Sequence, residues 1–346
     1  MVIIGADLHK RTHTLVSADA VGRKAASCTV KATAAGHAEA LRWARQWPER
    51  TWALEDCRQV SRRFEADLLR AGERVVRVAP KLTAGARRSA RTRGKSDPID
   101  ALAAARAALR EPTLPVAQLD GPARDIRLLL DHRDDLVAER TRIQNRLRWH
   151  LHELEPGREP GLRTLARMRV LDALEAQLAG SATLVARIAR ELVARCRELT
   201  VRINELEREL AALTTVAAPV LLQLSGCGVL SAAKIIGETA GIARFRSRSA
   251  FAMHTGTAPI PVWSGNSDRH RLNRSGNRQL NSALHRIAIT QLRVGGRGRE
   301  YYERRLAAND TKTAAIRALR RRLSDEVFRR LRIDEFGSAV RAQQAA

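Results

Sequence analysis

Four acidic side chains occupy positions from which they could together hold a metal ion, in a chain that is otherwise strongly basic. Asp7 and Glu55 each end a short apolar run, and Asp97 and Asp100 lie three residues apart where a helix is predicted to begin. Residues at that spacing share one face of a helix. Carboxylate oxygens suit Mg²⁺, which can stabilise the reacting oxygens of a phosphoryl transfer. The set predicts one or two bound Mg²⁺ ions.

Each carboxylate also has an ordinary structural interpretation. A carboxylate at a strand end is usually solvated or caps a neighbouring helix. Asp97 could be an N-cap, with Pro98 at the first helical position. The prediction therefore depends on the ordered set rather than on any single member.

The order of the predicted elements suggests how these distant carboxylates meet. Apolar or β-branched runs predict strands at 2–6, 14–18, 27–32, 51–55 and 74–78, and helical patterns occupy 35–46, 60–71 and 98–109. Short turns separate the first three strands, which indicates an antiparallel meander. Three strands, helix, strand, helix, strand, helix is the order of an RNase H-like domain. We therefore predict an α/β RNase H-like (RuvC-like) domain over 1–115.

The region 116–215 has the pattern of long amphipathic helices. Apolar residues recur at seven-residue and three-to-four-residue spacings on both sides of a Pro/Gly break at 155–161. Such heptads with charged flanks predict a long α-helical region forming an antiparallel pair or a coiled coil. A bundle within one chain and pairing between chains are equally compatible with the pattern.

The region 216–346 is predicted to be mainly helical. Residues 224–233 (LSGCGVLSAA) are similar to the turn of a helix-hairpin-helix, where backbone amides approach phosphates, although a plain tight turn is the alternative. Arginines are dense in both polar segments that follow. The candidate nucleic-acid contacts are Arg269, Arg271, Arg274 and Arg278, followed by Arg317, Arg320, Arg321, Arg322, Arg329 and Arg330.

Composition points to a polyanionic partner and an intracellular location. Sixty-two Lys and Arg residues against 37 Asp and Glu residues give a formal charge of +25, which favours nucleic acid. The four cysteines show no metal-ligand spacing and are expected to be reduced thiols. No signal peptide and no membrane-spanning run are evident. We expect a soluble cytoplasmic protein without membrane contact.

Several motifs together resemble one family, the insertion-sequence transposases that join a DEDD RuvC-like domain to a C-terminal domain with a characteristic serine. The site-specific pilin-gene invertases belong to the same group. The resemblance covers most of the chain. Its motifs are 5–7 (GAD), 53–55 (ALE), 95–101 (KSDPIDA), 224–228 (LSGCG), 255–259 (TGTAP), 264–267 (SGNS) and 274–277 (RSGN).

The resemblance implies a role for each motif. Asp7, Glu55, Asp97 and Asp100 match the family's metal-binding carboxylates. Ser264 matches the catalytic serine that attacks DNA and forms a 5′-phosphoserine-type intermediate, and Ser267 is the alternative. The resemblance further implies donor and target DNA, a structured guide RNA encoded by the element, and homodimers that assemble into a tetramer.

Three functions remain open at this stage. The first is a DNA recombinase that uses the metal-binding carboxylates together with Ser264. The second is a RuvC-like nuclease or resolvase in which water attacks and the serine is structural. The third is an inactive nucleic-acid-binding relic. A covalent protein–DNA adduct separates the first two functions, and metal-dependent strand cleavage would exclude the third.

Overall fold

A computed structural model divides the chain into two compact units, Met1–Asp120 and Gly121–Ala346. It describes residues 1–55, 60–89, 96–111, 114, 116–119, 121–157, 160–161, 163–265, 267–274 and 276–344, without the side chains of 263–264, 267–269 and 338–344. Cys57 lies outside this part. The predicted boundaries near 115 and 215 stay predictions.

The first unit is a five-stranded sheet with helices on both faces. Its elements are β1 (Val2–Leu8), β2 (Thr12–Ala18), β3 (Lys24–Lys31), α1 (Ala34–Ala44), β4 (Arg50–Glu55), α2 (Arg62–Arg70), β5 (Val75–Val78), α3 (Pro80–Arg88) and α4 (Asp97–Arg110). The strand order is β3-β2-β1-β4-β5, with β1, β2 and β3 antiparallel and β1, β4 and β5 parallel. This is the order of an RNase H-like domain, so the predicted N-terminal fold is confirmed.

Alternation along the strands separates two apolar cores. Ile4 in β1 and Trp52 in β4 pack with α1 and α2 on one face. Ile3 and Ala53 point to the other face, where they pack with alanines of α4. Successive strand residues point to opposite faces. The second face is therefore the one that also carries residues 5, 7 and 55.

Several sequence-based element boundaries differ from those in the structure. Strand β2 begins at Thr12 rather than at 14, and β3 begins at Lys24 rather than at 27. The helix α3 (Pro80–Arg88) was not predicted at all. Its buried side chains are only Thr83 and Ala86, so it lacks the apolar stripe that identifies a helix in sequence.

The second unit is mostly helical. Its elements are α5 (Pro122–Leu154), α6 (Met168–Ala179), α7 (Leu184–Ala217), α8 (Pro219–Leu222), α9 (Val229–Thr239), α10 (Arg248–His254), β6 (Ile260–Ser264), β7 (Ser267–Arg271), α11 (Arg278–Val294), α12 (Arg297–Ala307) and α13 (Lys312–Gln344). None of the helices in the described part of the chain combines the length and the apolar character needed to cross a membrane.

The long helices α5 and α7 pack against each other within the chain. Arg133 of α5 bonds Glu207 of α7 at 2.5 Å, whereas Glu139 of α5 meets Arg195 at 2.6 Å. Since the partner number falls as the α5 number rises, the two helices run antiparallel. Coiled-coil pairing between chains stays a prediction.

The glycine-rich turn at 224–228 joins α8 to α9. Gly226 has a φ of +80°, and a Cβ there would lie 3.0 Å from the Ile287 carbonyl oxygen of α11. Gln291 Nε2 also donates to the Ser225 carbonyl at 2.7 Å. These contacts explain the glycine by packing against α11, and phosphate binding by this turn stays a prediction.

Candidate active site

Asp7 lies on the face of β1 that is covered by α4. Strand and helix approach closely there, because a Cβ on Gly5 would come within 2.0 Å of the Ala101 carbonyl oxygen and 2.7 Å of the Ala105 nitrogen. Gly5 and Asp7 are two residues apart and share this face. The Asp7 carboxylate therefore projects on the side where α4 begins.

Glu55 follows the same geometry on the neighbouring strand. Ala6 of β1 pairs with Leu54 of parallel strand β4, so Asp7 and Glu55 each follow the last pair in the register. Ala53, two residues before Glu55, packs with the α4 alanines. Asp7 and Glu55 thus belong to the same face of the sheet, at adjacent strand ends.

Asp97 and Asp100 occupy the first turn of α4. The N-cap position belongs to Ser96, whose carbonyl accepts from the Asp100 backbone N–H at 3.0 Å. Asp97 is the first helical residue, ahead of Pro98. Asp97 is therefore not the N-cap of this helix. Both carboxylates also sit where the helix dipole favours negative charge.

His9 joins this group and was missed in the sequence. Its Nε2 lies 3.2 Å from Asp7 Oδ2 and 3.5 Å from Asp97 Oδ1. One ligand atom from each of Asp7, His9 and Asp97 can be chosen so that all three lie within 4.8 Å of one another. The signal available in sequence was the two-residue spacing of Asp7 and His9, which favours a common direction.

Asp100 is held by a basic side chain from the unpredicted helix α3. Arg87 Nη1 donates to Asp100 Oδ1 at 2.7 Å. Arg87 also lowers the pKa of Glu55, although burial and then the charges of Asp7 and Asp100 raise it overall. Electrostatic coupling therefore links Glu55 to Asp7 and Asp100.

Negative charge accumulates at this strand edge. Burial raises the pKa of Asp7, the charges of Asp100 and Asp97 add to the rise, and His9 opposes it. Part-buried carboxylates that disfavour one another's ionisation are stabilised by a cation. Carboxylate oxygens form a donor set that fits a hard divalent ion such as the predicted Mg²⁺. The His9 imidazole is a softer donor and contacts the carboxylates of Asp7 and Asp97 instead.

Ser264 belongs to the second unit, at the end of a strand. The backbone of β6 and β7 forms an antiparallel hairpin in which Ser264 pairs with Ser267. Gly265 follows Ser264 with a φ of +60°. Ser264 and Ser267 therefore lie at the end and the start of paired strands. The side chains of Ser264 and Ser267 lie outside the described part of the structure.

Both ends of this hairpin are fixed at one crossing point. A Cβ on Gly276 would come within 2.2 Å of the Gly256 nitrogen, so the segments before β6 and after β7 touch through their backbones. Asn277 caps α11 and donates from Nδ2 to buried Glu238 at 2.6 Å. The backbone N–H of Asn277 also donates to the His254 carbonyl at 2.6 Å.

The predicted nucleic-acid contacts surround the hairpin. Arg271 ends β7, Arg274 lies in the following segment, and Arg278 begins α11; all three are exposed. The side chain of Arg269 lies outside the described residues. No acidic partner in the described part of the chain pairs with Arg271, Arg274 or Arg278, which leaves this side of the hairpin positively charged.

Comparisons with known proteins agree with these features. A transposase family model of the DEDD IS110 type matches residues 4–156, and one described as "Transposase IS116/IS110/IS902 family" matches residues 218–303. Together they match more than half of the chain. A 44.8 kDa protein of insertion element IS116 from Streptomyces clavuligerus is 26% identical, covering 95% of this chain and 94% of that protein. A 42 kDa protein of IS900 from Mycobacterium paratuberculosis is 27% identical, covering 82% and 83%.

Two solved structures of Thermus thermophilus RuvC also align with the chain. One is a complex with a Holliday junction substrate; it covers 34% of this chain and 99% of its own, with 16% identity and a TM-score of 0.27. The other covers 34% and 100%, with 18% identity and a TM-score of 0.28. The strand order, rather than these alignments, carries the fold assignment. On its family matches and its relatives, the chain belongs to the IS116/IS110/IS902 family of transposases.

Proposed function

We propose that this transposase is a DNA recombinase that cuts and rejoins DNA strands with a Mg²⁺-dependent carboxylate site and a serine nucleophile. The observation that carries the proposal is the convergence of Asp7, Glu55, Asp97 and Asp100 at one edge of the sheet. Three separate segments supply these carboxylates, and their charges act on one another. Repulsion between these carboxylates lowers the stability of the folded state unless a bound cation or substrate offsets their negative charge.

The four carboxylates would hold the metal. Bound Mg²⁺ would polarise the scissile phosphate and stabilise the charge that develops on it. Arg87 restrains Asp100 by its 2.7 Å hydrogen bond and limits the excess negative charge. His9, within 3.5 Å of both Asp7 and Asp97, orients these two carboxylates.

Ser264 is proposed as the nucleophile. Its hydroxyl oxygen would attack phosphorus, the 3′ oxygen would leave, and the 5′ phosphate would stay attached to the serine. The covalent link conserves the energy of the phosphodiester, so a strand can be rejoined without an outside energy source. Ser267, which pairs with Ser264 in the hairpin, is the alternative nucleophile.

The partners are donor DNA, target DNA and a structured guide RNA from the element, bound by homodimers that assemble into a tetramer. The charge of +25 and the exposed arginines Arg271, Arg274 and Arg278 support a nucleic-acid partner. Guidance by RNA and the tetramer rest on the family resemblance alone.

The deciding experiment is covalent trapping. Purified protein is incubated with DNA carrying the element ends, Mg²⁺ and the element-derived RNA, then denatured and examined for protein attached to a DNA 5′ end. We expect an adduct for the wild type and for Ser267→Ala, and none for Ser264→Ala. The two serine variants lie in the same hairpin turn and so control for each other.

Three outcomes would contradict the proposal. An adduct that persists in Ser264→Ala and disappears in Ser267→Ala would assign the nucleophile to Ser267. Metal-dependent cleavage without any adduct would favour the nuclease in which water attacks. Asp7→Asn should abolish cleavage and leave DNA binding intact, because it removes a metal ligand without adding bulk. Absence of cleavage by the wild type under all of these conditions would favour the inactive relic.

A further inference from the structure

The arginines of α13, although dense in sequence, differ in how they are neutralised. Arg321 pairs with Asp325 within the helix. Arg329 and Arg330 share Glu326, at 2.7 and 2.6 Å. Two carboxylates therefore neutralise two of these three positive charges, so the density of arginines overstates the free positive charge of the helix.

Arg320 is a different kind of side chain. It is part-buried, and its Nη1 donates to Asn281 Oδ1 of α11 at 2.7 Å. Its Nε is buried, and among the described residues it finds no acceptor. Arg317, one turn earlier, bonds only the Thr313 carbonyl of its own helix, at 3.4 Å. No carboxylate in the described part of the chain pairs with Arg317 or Arg320.

Positive charge is therefore concentrated on this face of α11 and α13. Burial and the charge of Arg317 lower the pKa of Arg320. Burial and the charge of Arg320 lower the pKa of His285, which lies one turn beyond Asn281 on α11. A part-buried guanidinium without an anionic partner is destabilising, unless a ligand supplies the anion. The cluster has the opposite electrostatic character to the carboxylate site.

The cluster is attached directly to the base of the serine hairpin. Asn281, which holds Arg320, donates from Nδ2 to the carbonyls of Thr255 and Gly256 at 3.0 and 3.3 Å. Gly256 is the residue that touches Gly276 where the hairpin enters and leaves the fold. Through Asn281, the position of Arg320 is thus coupled to the hairpin that carries Ser264.

We propose that Arg320 and Arg317 form a binding site for a backbone phosphate of the DNA strand presented to the hairpin. This rests on the proposed function in taking DNA as the ligand. An arginine fork matches phosphate oxygens, and a guanidinium already oriented by Asn281 loses little freedom on binding. Arg320 orients a phosphate and is not assigned any step at the reacting bond.

The test measures the salt dependence of binding to a short fluorescent DNA duplex, without Mg²⁺ and in the Ser264→Ala background. Each phosphate contact contributes about 0.9 to the slope of log affinity against log salt. Arg320→Ala should reduce that slope by about one. Arg321→Ala is the control, because it removes an equal charge from the adjacent position. Since Arg321 is already paired with Asp325, the salt slope of this variant should match that of the parent protein.

Two further variants keep the test decisive. Arg317→Ala breaks only a hydrogen bond within its own helix and should fold normally, so a reduced slope there supports the site even if Arg320→Ala is unstable. Arg320→Lys should retain the slope and lose affinity, because charge remains but the fork is gone.

Two results would contradict this proposal. Equal slopes for Arg317→Ala, Arg320→Ala and Arg321→Ala would overturn the site. A slope reduced only for an RNA duplex of the same sequence would overturn the assignment to DNA. Because this assay involves no strand cleavage, its failure leaves the covalent mechanism standing, and failure of serine trapping leaves the binding result standing.

Discussion

The contact between Gly5 and α4 predicts that adding a single methyl group should damage a metal site several residues away. In Gly5→Ala the new Cβ would lie 2.0 Å from the Ala101 carbonyl oxygen and 2.7 Å from the Ala105 nitrogen. Both are backbone atoms of a helix, so no side-chain rotation can relieve the clash. Either α4 retreats from β1 or the strand distorts.

The structure sets the size of the effect. Real Cβ contacts do not fall below 3.0 Å, so α4 must move by about 1 Å at this point. Overpacking of this kind costs about 1–3 kcal/mol of folding free energy. His9 Nε2 and Asp97 Oδ1 are now 3.5 Å apart, and the same retreat would take them beyond ion-pair distance. A misplacement of about 1 Å can lower a rate about 100-fold.

Gly85→Ala is a matched control for this change. Gly85 lies within α3, where an added Cβ meets no atom within 4 Å. Replacing glycine by alanine inside a helix stabilises it by about 0.5–1 kcal/mol. The same substitution is therefore expected to lower the folding stability at Gly5 and to raise it at Gly85.

Three measurements test this prediction: urea unfolding, hydrogen exchange of peptides from β1 and α4, and the thermal shift on addition of Mg²⁺. Gly5→Ala should unfold at lower urea, exchange faster in both peptides and lose most of the Mg²⁺-induced shift. Gly85→Ala should keep that shift. If Gly5→Ala matched Gly85→Ala in stability and in response to Mg²⁺, the close approach of β1 and α4 would not position the carboxylates.

Two further predictions concern titratable groups in the first unit. Burial lowers the pKa of His13 to about 4, so protons bind the unfolded chain preferentially between pH 6.5 and about 4. The contribution of His13 to the stability of this unit should fall by about 3 kcal/mol as pH drops through that window. His13→Leu should flatten that fall in urea unfolding at pH 7 and pH 5, and an unchanged pH dependence would contradict the argument. Separately, Arg87→Met should tighten Mg²⁺ binding in a thermal-shift titration, because it removes the charge that neutralises Asp100. Exposed Arg88→Met is the control, and equal affinities in the two variants would refute the effect.

The fold of the first unit was predictable because two of its parallel strands, β1 and β4, carry a strong signal. Apolar runs ending at Asp7 and Glu55 identify both the strands and their acidic ends. Two-residue alternation then places Gly5 with Asp7 and Ala53 with Glu55, on the face that packs α4. The common face of these two carboxylates is therefore encoded locally.

The features that sequence reasoning missed depend on contacts between distant segments. Helix α3 buries only small side chains, so neither its existence nor the contact of Arg87 with Asp100 could be inferred from periodicity. The β6–β7 hairpin depends on the backbone pairing of two short segments, Ile260–Ser264 and Ser267–Arg271, neither of which alternates apolar and polar residues clearly enough to predict a strand. Arginine density likewise suggested a uniform basic surface, whereas pairing with carboxylates removes Arg321 from it and leaves Arg320.

The hairpin is fixed at its base rather than at its tip, which suits the nucleophilic role proposed for Ser264. Gly256 and Gly276 touch through their backbones, and a side chain at Gly276 would force the entering and leaving segments apart. At the tip, a Cβ on Gly265 would meet no atom within 4 Å. A reacting group needs reproducible placement together with access for substrate. Closure at the base provides reproducible placement, and an open tip provides access for substrate. Since Asn281 links this base to Arg320, a phosphate bound there would further restrain the segment leading to Ser264.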